Sequence, residues 1–297
     1  MRIVILGTKL NTEEKKLLGE VEIIETEAAT SVDDFLTKTK GADAIYDVDT
    51  EYLLECLPKL QNVYVTYPFI ELGNFDSKAL AENNVFVANA RGGNKNSIVE
   101  WVMFMILALL RKIHKKTRVN NNISFERTKS LENKNVLIIG HGDIGSEIGL
   151  RCEAFYMNVV FYERGENLIE KVKNADVVVN ALNVNSSNYN LISADVFANM
   201  KQDAVFISFA RLHTFDLEGL IQSIESGRLN GAAIDCDPES SGDTENDFYQ
   251  KALSCENILV TPHVAFATDV AGVNGHKFAI ENLINFTKGK KVNVINK

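Results

Sequence analysis

Three apolar runs in the second half of the chain end beside side chains able to do proton or ion chemistry. AVFISFA leads to Arg211, GAAI leads to Asp235 with Glu239 close behind, and ILVTP leads to His263. Imidazole titrates near neutrality and can both take and give a proton. A guanidinium is shaped to hold a carboxylate through two parallel hydrogen bonds. Glu239, hydrogen-bonded to His263, would hold the ring and favour the imidazolium. Each residue also has a plainer use. His263 could simply satisfy a strand end behind Pro262, Arg211 could pair with a surface acid, and Glu239 could be one more solvated acid in DCDPESSGD. Among the other histidines, His213 lies two residues past Arg211 and could line the same site. His114 sits in a basic run, His276 on a C-terminal helical pattern and His141 in a glycine-rich turn.

That turn belongs to the stretch that must position the rest, NVLIIGHGDIGSEIGLRCEAFYMNVVFYER. Val136–Ile139 reads as a buried strand, and Gly140, Gly142 and Gly145 follow at G-x-G-x-x-G spacing. A helical pattern opens at once through Ile144, Ile148, Cys152 and Phe155, and a second apolar run, Val159–Tyr162, ends in Glu163. Strand, glycine turn, helix, strand and acid are the order a dinucleotide site needs. Gly140 turns the chain, Gly142 lets a pyrophosphate approach the backbone, and Gly145 packs the helix close. The helix N-terminus favours the phosphates. Glu163 lies 18 residues past Gly145, where a carboxylate can accept from both ribose hydroxyls.

Around this unit, short apolar runs alternate with helical patterns. Strands are expected at Ile3–Leu6, Val21–Ile24, Ala44–Tyr46, Val63–Thr66 and Val85–Ala88, then at Val177–Ala181, Ala204–Ser208, Ala232–Ile234 and Ile258–Val260. Asn11 and Glu14 have capping-box spacing. Helices are expected near 33–39, 51–57, 77–82, 96–117, 193–200, 217–226 and 268–288, and the tail VNVIN has a strand-like pattern. Such alternation means parallel sheets with helices on their faces. Ligands of open α/β sheets bind beyond the carboxyl ends of the strands. Arg211, Asp235 and His263 all fall there. With a nicotinamide carrying hydride, they make a redox site for a small acid.

The chain has 297 residues, 45% hydrophobic and 24% charged, with a net charge of −9. An acidic balance argues against nucleic-acid or anionic-membrane partners. The apolar stretch Ile98–Leu110 is too short to span a bilayer. Cys56, Cys152, Cys236 and Cys255 lack C-x-x-C spacing and read as reduced thiols, no signal-peptide pattern is visible, and a cytoplasmic location is expected. No metal site is expected.

The ordered motifs resemble the D-isomer-specific 2-hydroxyacid dehydrogenases over nearly the whole chain. The similar segments are VANARGGNKNSIVEW, GHGDIG with Glu163, ADVVVNALNVNSSNYNLI, SFARLHTFD, LNGAAIDCDPE, ILVTPHVAFAT and ENLINFTKGKKVNVIN. The resemblance implies two α/β domains with the active site in the cleft between them. Residues 1–90 with 267–297 would form a discontinuous, flavodoxin-like substrate domain, and residues 91–266 a Rossmann dinucleotide-binding domain. It implies NAD as cofactor, contacted by Gly140, His141, Gly142, Asp143, Ile144, Gly145, Glu163, Arg164, Ala181, Leu182, Asn183, Phe209, Ala210, Arg211, Asp235, His263 and Ala265. Asp235 would face the nicotinamide end. Arg211 would bind the carboxylate and carbonyl oxygen of a small 2-keto or 2-hydroxy acid, with His263 as acid/base and Glu239 as its partner. A homodimer built around the long helix is expected. A large regulatory domain, and feedback control through one, is not.

The sequence departs from the family pattern in several places. Leu212 and His213 stand where two glycines usually follow the arginine, so bulky side chains would intrude or reshape the loop. The glutamate segment is one residue short, which leaves Asp237 as the alternative to Glu239. The substrate loop, Tyr67, Pro68, Phe69 and Ile70, lacks the usual glycine, and Pro68 removes one backbone donor. Tyr67 and Phe69 suggest a pocket more apolar than glyoxylate needs. Glu163 favours NAD, while Arg164 beside it could accommodate NADP. Asp143 brings a negative charge where phosphates are expected to lie. The reading is an NAD-dependent oxidoreductase acting as a 2-ketoacid reductase. The alternative is an NAD(H)-binding regulatory or interaction protein of the same fold with little turnover.

Overall fold

The computed structural model describes residues 1–113, 127–183, 186–236 and 247–296. The chain divides into two compact units, Met1–Asn94 with Ala267–Lys297, and Lys95–Phe266. The first opens with β1 (Arg2–Leu6), α1 (Thr12–Leu18), β2 (Glu22–Thr26), α2 (Val32–Lys38), β3 (Ala44–Asp47), α3 (Leu53–Cys56), β4 (Val63–Thr66), α4 (Ser77–Glu82) and β5 (Val85–Ala88). The second runs through α5 (Lys95–Leu110), β6 (Asn135–Ile139), α6 (Asp143–Ala154), β7 (Asn158–Tyr162), α7 (Leu168–Val172), β8 (Val177–Asn180) and α8 (Ala194–Asn199). It continues with β9 (Ala204–Ser208), α9 (Leu217–Glu225), β10 (Leu229–Asp235), α10 (Asp247–Ser254) and β11 (Ile258–Thr261). Helix α11 (Asp269–Thr287) belongs to the first unit again.

Both sheets are parallel throughout. The first has the order β2-β1-β3-β4-β5, that of a flavodoxin-like fold. The second has the order β11-β10-β9-β8-β6-β7. In each, the central strands are buried on both faces, as Ile3–Leu6 and Val136–Ile139 show, and this is why they read as unbroken apolar runs. The chain reverses its direction of winding between β6 and β8, so the crevice beyond those two strand ends is the switch point of the second sheet.

Local signals agree with the elements they precede. The Asn11 side chain accepts the Glu14 N–H at 2.9 Å, and the Glu14 carboxylate accepts the Asn11 N–H at 2.8 Å. Asp216 caps α9, and Gly227, at φ +74°, follows its end. Helix α5 is buried along most of its length between α6 and strands β9 and β10. The part of the expected long helix beyond residue 113, with His114, lies outside the described residues.

The tail differs from its strand-like pattern. Asn293, at φ +52°, turns the backbone out of the extended region, and a single antiparallel bridge, Ala88 to Val294, remains. A side chain takes over the edge of β5. Asn296 accepts the Val87 N–H at 2.9 Å and donates to the Val85 carbonyl at 2.7 Å. Alternating apolar residues predicted the extended shape but not that an asparagine amide would replace the ladder.

Candidate active site

The glycine turn leaves β6 under tight constraints. A Cβ on Gly140, whose φ is +114°, would lie 2.5 Å from the Ala181 carbonyl oxygen, so the turn abuts the exit of β8. A Cβ on Gly145 would lie 2.0 Å from the Gly140 oxygen, so α6 starts against its own turn. Gly142 is the opposite case: nothing lies within 4 Å of where its Cβ would be. It also caps α6 with no side-chain hydrogen bond. The turn is therefore closed where helix and strand meet and open where a pyrophosphate would approach the first-turn N–H groups. These residues fit a dinucleotide. Asp143, exposed at the first position of α6, complements the helix dipole but opposes a bound phosphate. Ile144 packs against the core under the turn.

Glu163 directly follows β7, and its carboxylate lies 3.0 Å from His141 Nδ1. The His141 ring stacks on Phe161 at 3.8 Å between centroids, with 11° between planes. Arg164 donates to Ser187 Oγ at 3.0 Å and to Asn188 Oδ1 at 3.4 Å. Asn188 in turn donates to the Asn183 carbonyl at 2.9 Å, which ties this region to the exit of β8 with Ala181, Leu182 and Asn183. The sequence reading missed Gly149. A Cβ there would lie 2.8 Å from Phe161 Cζ, so this glycine seats the ring under His141.

Arg211 leaves β9 through Phe209 and Ala210 on a fixed segment. Thr214 Oγ1 donates to the Arg211 carbonyl at 2.7 Å, and the Asn180 amide donates to Thr214 Oγ1 at 2.9 Å and Ser208 Oγ at 3.1 Å. Asn180 is fully buried and was not singled out from the sequence. Its one signal there was a polar residue closing the apolar run VVVN. Leu212 corrects an expectation: its side chain is 2% exposed and joins the core of the unit, so it does not intrude on the site. His213 sits parallel to the ring of Tyr189 with centroids 6.2 Å apart.

His263 lies two residues past β11, and its backbone is left-handed at φ +54°. Few non-glycine residues stay there without support. Asp235, at the end of β10, supplies it. Its Oδ1 accepts from Thr261 Oγ1 at 2.5 Å and from the Val264 N–H at 2.8 Å, and its Oδ2 accepts the Ala265 N–H at 2.8 Å. The carboxylate is 3% exposed. The resemblance gave Asp235 to the nicotinamide end; in the structure both its oxygens grip the segment that carries His263. The imidazole meets the edge of Phe266 at 5.3 Å. Glu239 and Asp237 lie outside the described residues.

Arg211, Asp235 and His263 thus leave the carboxyl ends of β9, β10 and β11, three adjacent strands of the sheet whose β6, β7 and β8 ends carry the residues that the sequence assigns to a dinucleotide. One sheet edge collects every site residue that the sequence assigned to this unit and that the structure describes. Adjacent strands lie about 4.8 Å apart, so Arg211 and His263 emerge roughly 10 Å apart along that edge.

The loop Tyr67–Ile70 belongs to the first unit and leaves β4. Tyr67 is fully buried; its hydroxyl donates to the Ile70 carbonyl at 3.4 Å, and burial pushes its phenol well above the ordinary range. It supports the loop from beneath, while Phe69 is 47% exposed. The Ala90 N–H donates to the Phe69 carbonyl at 3.0 Å, and the Asn89 amide donates to the Ile70 carbonyl at 2.8 Å. A Cβ on Gly275 of α11 would lie 2.2 Å from the Pro68 carbonyl.

None of the four cysteines is in a disulfide. Among the described residues no group of His, Cys, Asp and Glu side chains has the arrangement of a metal site, and no helix is long and apolar enough to cross a membrane.

Residues 103–265, more than half of the chain, match the family model of the D-isomer specific 2-hydroxyacid dehydrogenase, NAD binding domain. A D-3-phosphoglycerate dehydrogenase of Archaeoglobus fulgidus is 29% identical over 76% of this chain and 46% of its own length. A D-lactate dehydrogenase of Staphylococcus epidermidis is 27% identical over 82% of this chain and 79% of its own. The chain spans only 46% to 60% of the length of the phosphoglycerate dehydrogenases it matches first. In fold it is similar to the NAD-complexed D-isomer specific 2-hydroxyacid dehydrogenase of Lactobacillus delbrueckii ssp. bulgaricus, with a TM-score of 0.79 at 20% identity, covering 99% of this chain and 100% of that one. With its two parallel sheets, its glycine turn open at Gly142 and this match across the second unit, the chain belongs to the D-isomer-specific 2-hydroxyacid dehydrogenase family, and its cofactor is NAD.

Proposed function

We propose that the protein is an NAD-dependent 2-ketoacid reductase, interconverting a small 2-keto acid and the corresponding D-2-hydroxy acid. The observation that carries this reading is the Asp235 grip on the left-handed His263 segment, beside Arg211 on the same sheet edge. A backbone strained by about 1–2 kcal/mol persists only where the surroundings hold it, and such strain clusters at functional sites. Bound NAD, in its reduced form, supplies the hydride that the keto carbon receives. Arg211 holds the substrate carboxylate and opposes the charge that develops on the keto oxygen. His263, protonated, gives that oxygen its proton and ends neutral; in the reverse direction it takes the hydroxyl proton. Glu239 holds the imidazolium in this reading, with Asp237 as the alternative.

The first unit supports a carboxylate subsite despite its missing glycine. A trans peptide points its N–H away from its C=O. The Pro68 carbonyl lies against Gly275, the Phe69 carbonyl is tied to Ala90 and the Ile70 carbonyl to Asn89. The N–H groups of Phe69 and Ile70, which share the first two of those peptides, therefore point the other way and offer two donors to a substrate carboxylate. The exposed Phe69 ring beside them favours a substrate with an apolar side chain.

The homodimer is part of the same proposal. Helices α5 and α6 pack together, and each leaves a large apolar side chain in solvent, Phe104 at 61% and Leu150 at 57%, with Tyr156 beyond α6 at 76%.

The test is a panel of 2-keto acids assayed with NADH and with NADPH. Rapid NADH oxidation by one acid supports the reductase. NADH binding without oxidation across the panel would favour the cofactor-binding regulatory protein, the reading that Pro68 and the Leu212–His213 replacement suggested.

A further inference from the structure

The glycine turn carries a side chain that the proposed chemistry does not use. His141 occupies the second position of GHGDIG, where its ring is held from both directions. On one side it stacks on Phe161, itself seated against Gly149. On the other, Nδ1 meets Glu163 Oε1 at 3.0 Å. A carboxylate only accepts, so Nδ1 carries the proton of this hydrogen bond. The backbone of Glu163 is fixed as well. Its N–H donates to Glu166 Oε2 at 2.6 Å, and Lys171 holds that same oxygen at 2.6 Å.

We propose that His141 sets cofactor specificity by fixing the Glu163 carboxylate for the two ribose hydroxyls of NAD. This deepens the NAD reading and rests on it. The Glu163 side chain is 63% exposed, and unheld it would sample many rotamers. Holding Oε1 leaves Oε2 as a preorganised acceptor, so less freedom is lost when the ribose binds. The same restraint discriminates against NADP. A loose glutamate can swing away from a 2′-phosphate, whereas a held one keeps its charge in place and repels it. Arg164, the adjacent cation, is turned to Ser187 and Asn188. Specificity therefore belongs to the His141–Glu163 pair and not to the acid alone, and His141 is a positioning residue within it.

The test uses the full chain and titrates it with NADH and with NADPH, read by nicotinamide fluorescence. His141→Phe keeps an aromatic ring on Phe161 and removes the donor; His141→Asn keeps a nitrogen at the position of Nδ1; His141→Leu serves if the phenylalanine variant does not fold. The wild type is expected to prefer NADH. His141→Phe should reduce the NADH-to-NADPH affinity ratio at least fivefold, about as far as Glu163→Gln does, and His141→Asn should retain most of it. The double variant His141→Phe/Glu163→Gln should lose no more than Glu163→Gln alone. A ratio within twofold of wild type in His141→Phe, or losses that multiply in the double variant, would overturn the proposal while NAD binding stands. A wild-type chain that binds neither dinucleotide overturns both. A purely structural role would lower the melting temperature without moving the ratio.

Discussion

The Asp235 carboxylate accepts the Ala265 N–H through Oδ2 at 2.8 Å, and that contact closes a three-donor clamp around the segment that presents His263. Strand β10 thereby positions a side chain that strand β11 carries. The clamp also accounts for a buried carboxylate at a strand end, since each donor offsets part of its desolvation.

Asp235→Asn replaces one of the two accepting oxygens with a donor. At least one backbone N–H of the clamp then faces an NH2 group. Turnover should fall tenfold or more, and stability by about 1–3 kcal/mol. NADH affinity should change little. Steady-state assays, denaturant unfolding and NADH titration separate these effects.

His263→Gly tests the strain directly. Glycine adopts a φ of +54° without a Cβ penalty, so the variant should be as stable as wild type or gain up to about 1 kcal/mol. Turnover should drop by roughly 10²–10⁴-fold, the usual contribution of a proton-transferring side chain. Loss of stability with activity retained would contradict both the strain and the role.

Asp143→Asn should tighten NADH binding several-fold, and the gain should shrink as salt is raised, because the charge removed sits at the helix end that receives the pyrophosphate. The helix should lose about 0.3–1 kcal/mol of dipole stabilisation. Binding titrations at low and high ionic strength, with thermal unfolding of each form, read the two effects.

Asp47, 2% exposed at the end of β3, gives stability a pH dependence. Burial pushes its carboxyl up to about 6, although it accepts from the Asp49 and Thr50 N–H groups. Below its unfolded value of about 3.9 both states are protonated. Between there and about 6 the unfolded chain loses the proton first, so stability falls as pH rises and levels off above. Asp47→Asn should match wild type near pH 4 and exceed it by up to about 3 kcal/mol at pH 7, the equivalent of a shift of roughly two pH units. Melting temperatures of the two proteins across this range check it. A constant difference would point to a packing effect instead.

Most of what depends on neighbours along the chain was legible in the amino-acid order. All eleven strands among the described residues lie at apolar runs visible in the sequence, and the glycine turn, the Asn11–Glu14 box and the C-terminal helix followed from local spacing. Arg211, Asp235 and His263 were legible because each ends such a run, and an α/β sheet places strand ends on one edge. What those residues touch is set by packing between elements. Three-donor clamping of the His263 segment by Asp235, support of the Arg211 segment by Asn180 through Thr214, and the stack from Gly149 through Phe161 to His141 all join different strands and helices. Leu212 turned inward and Asn296 replaced a strand ladder for the same reason. Periodicity records which way a side chain faces its own element; hydrogen-bond partners across elements are chosen by packing, which no local pattern encodes.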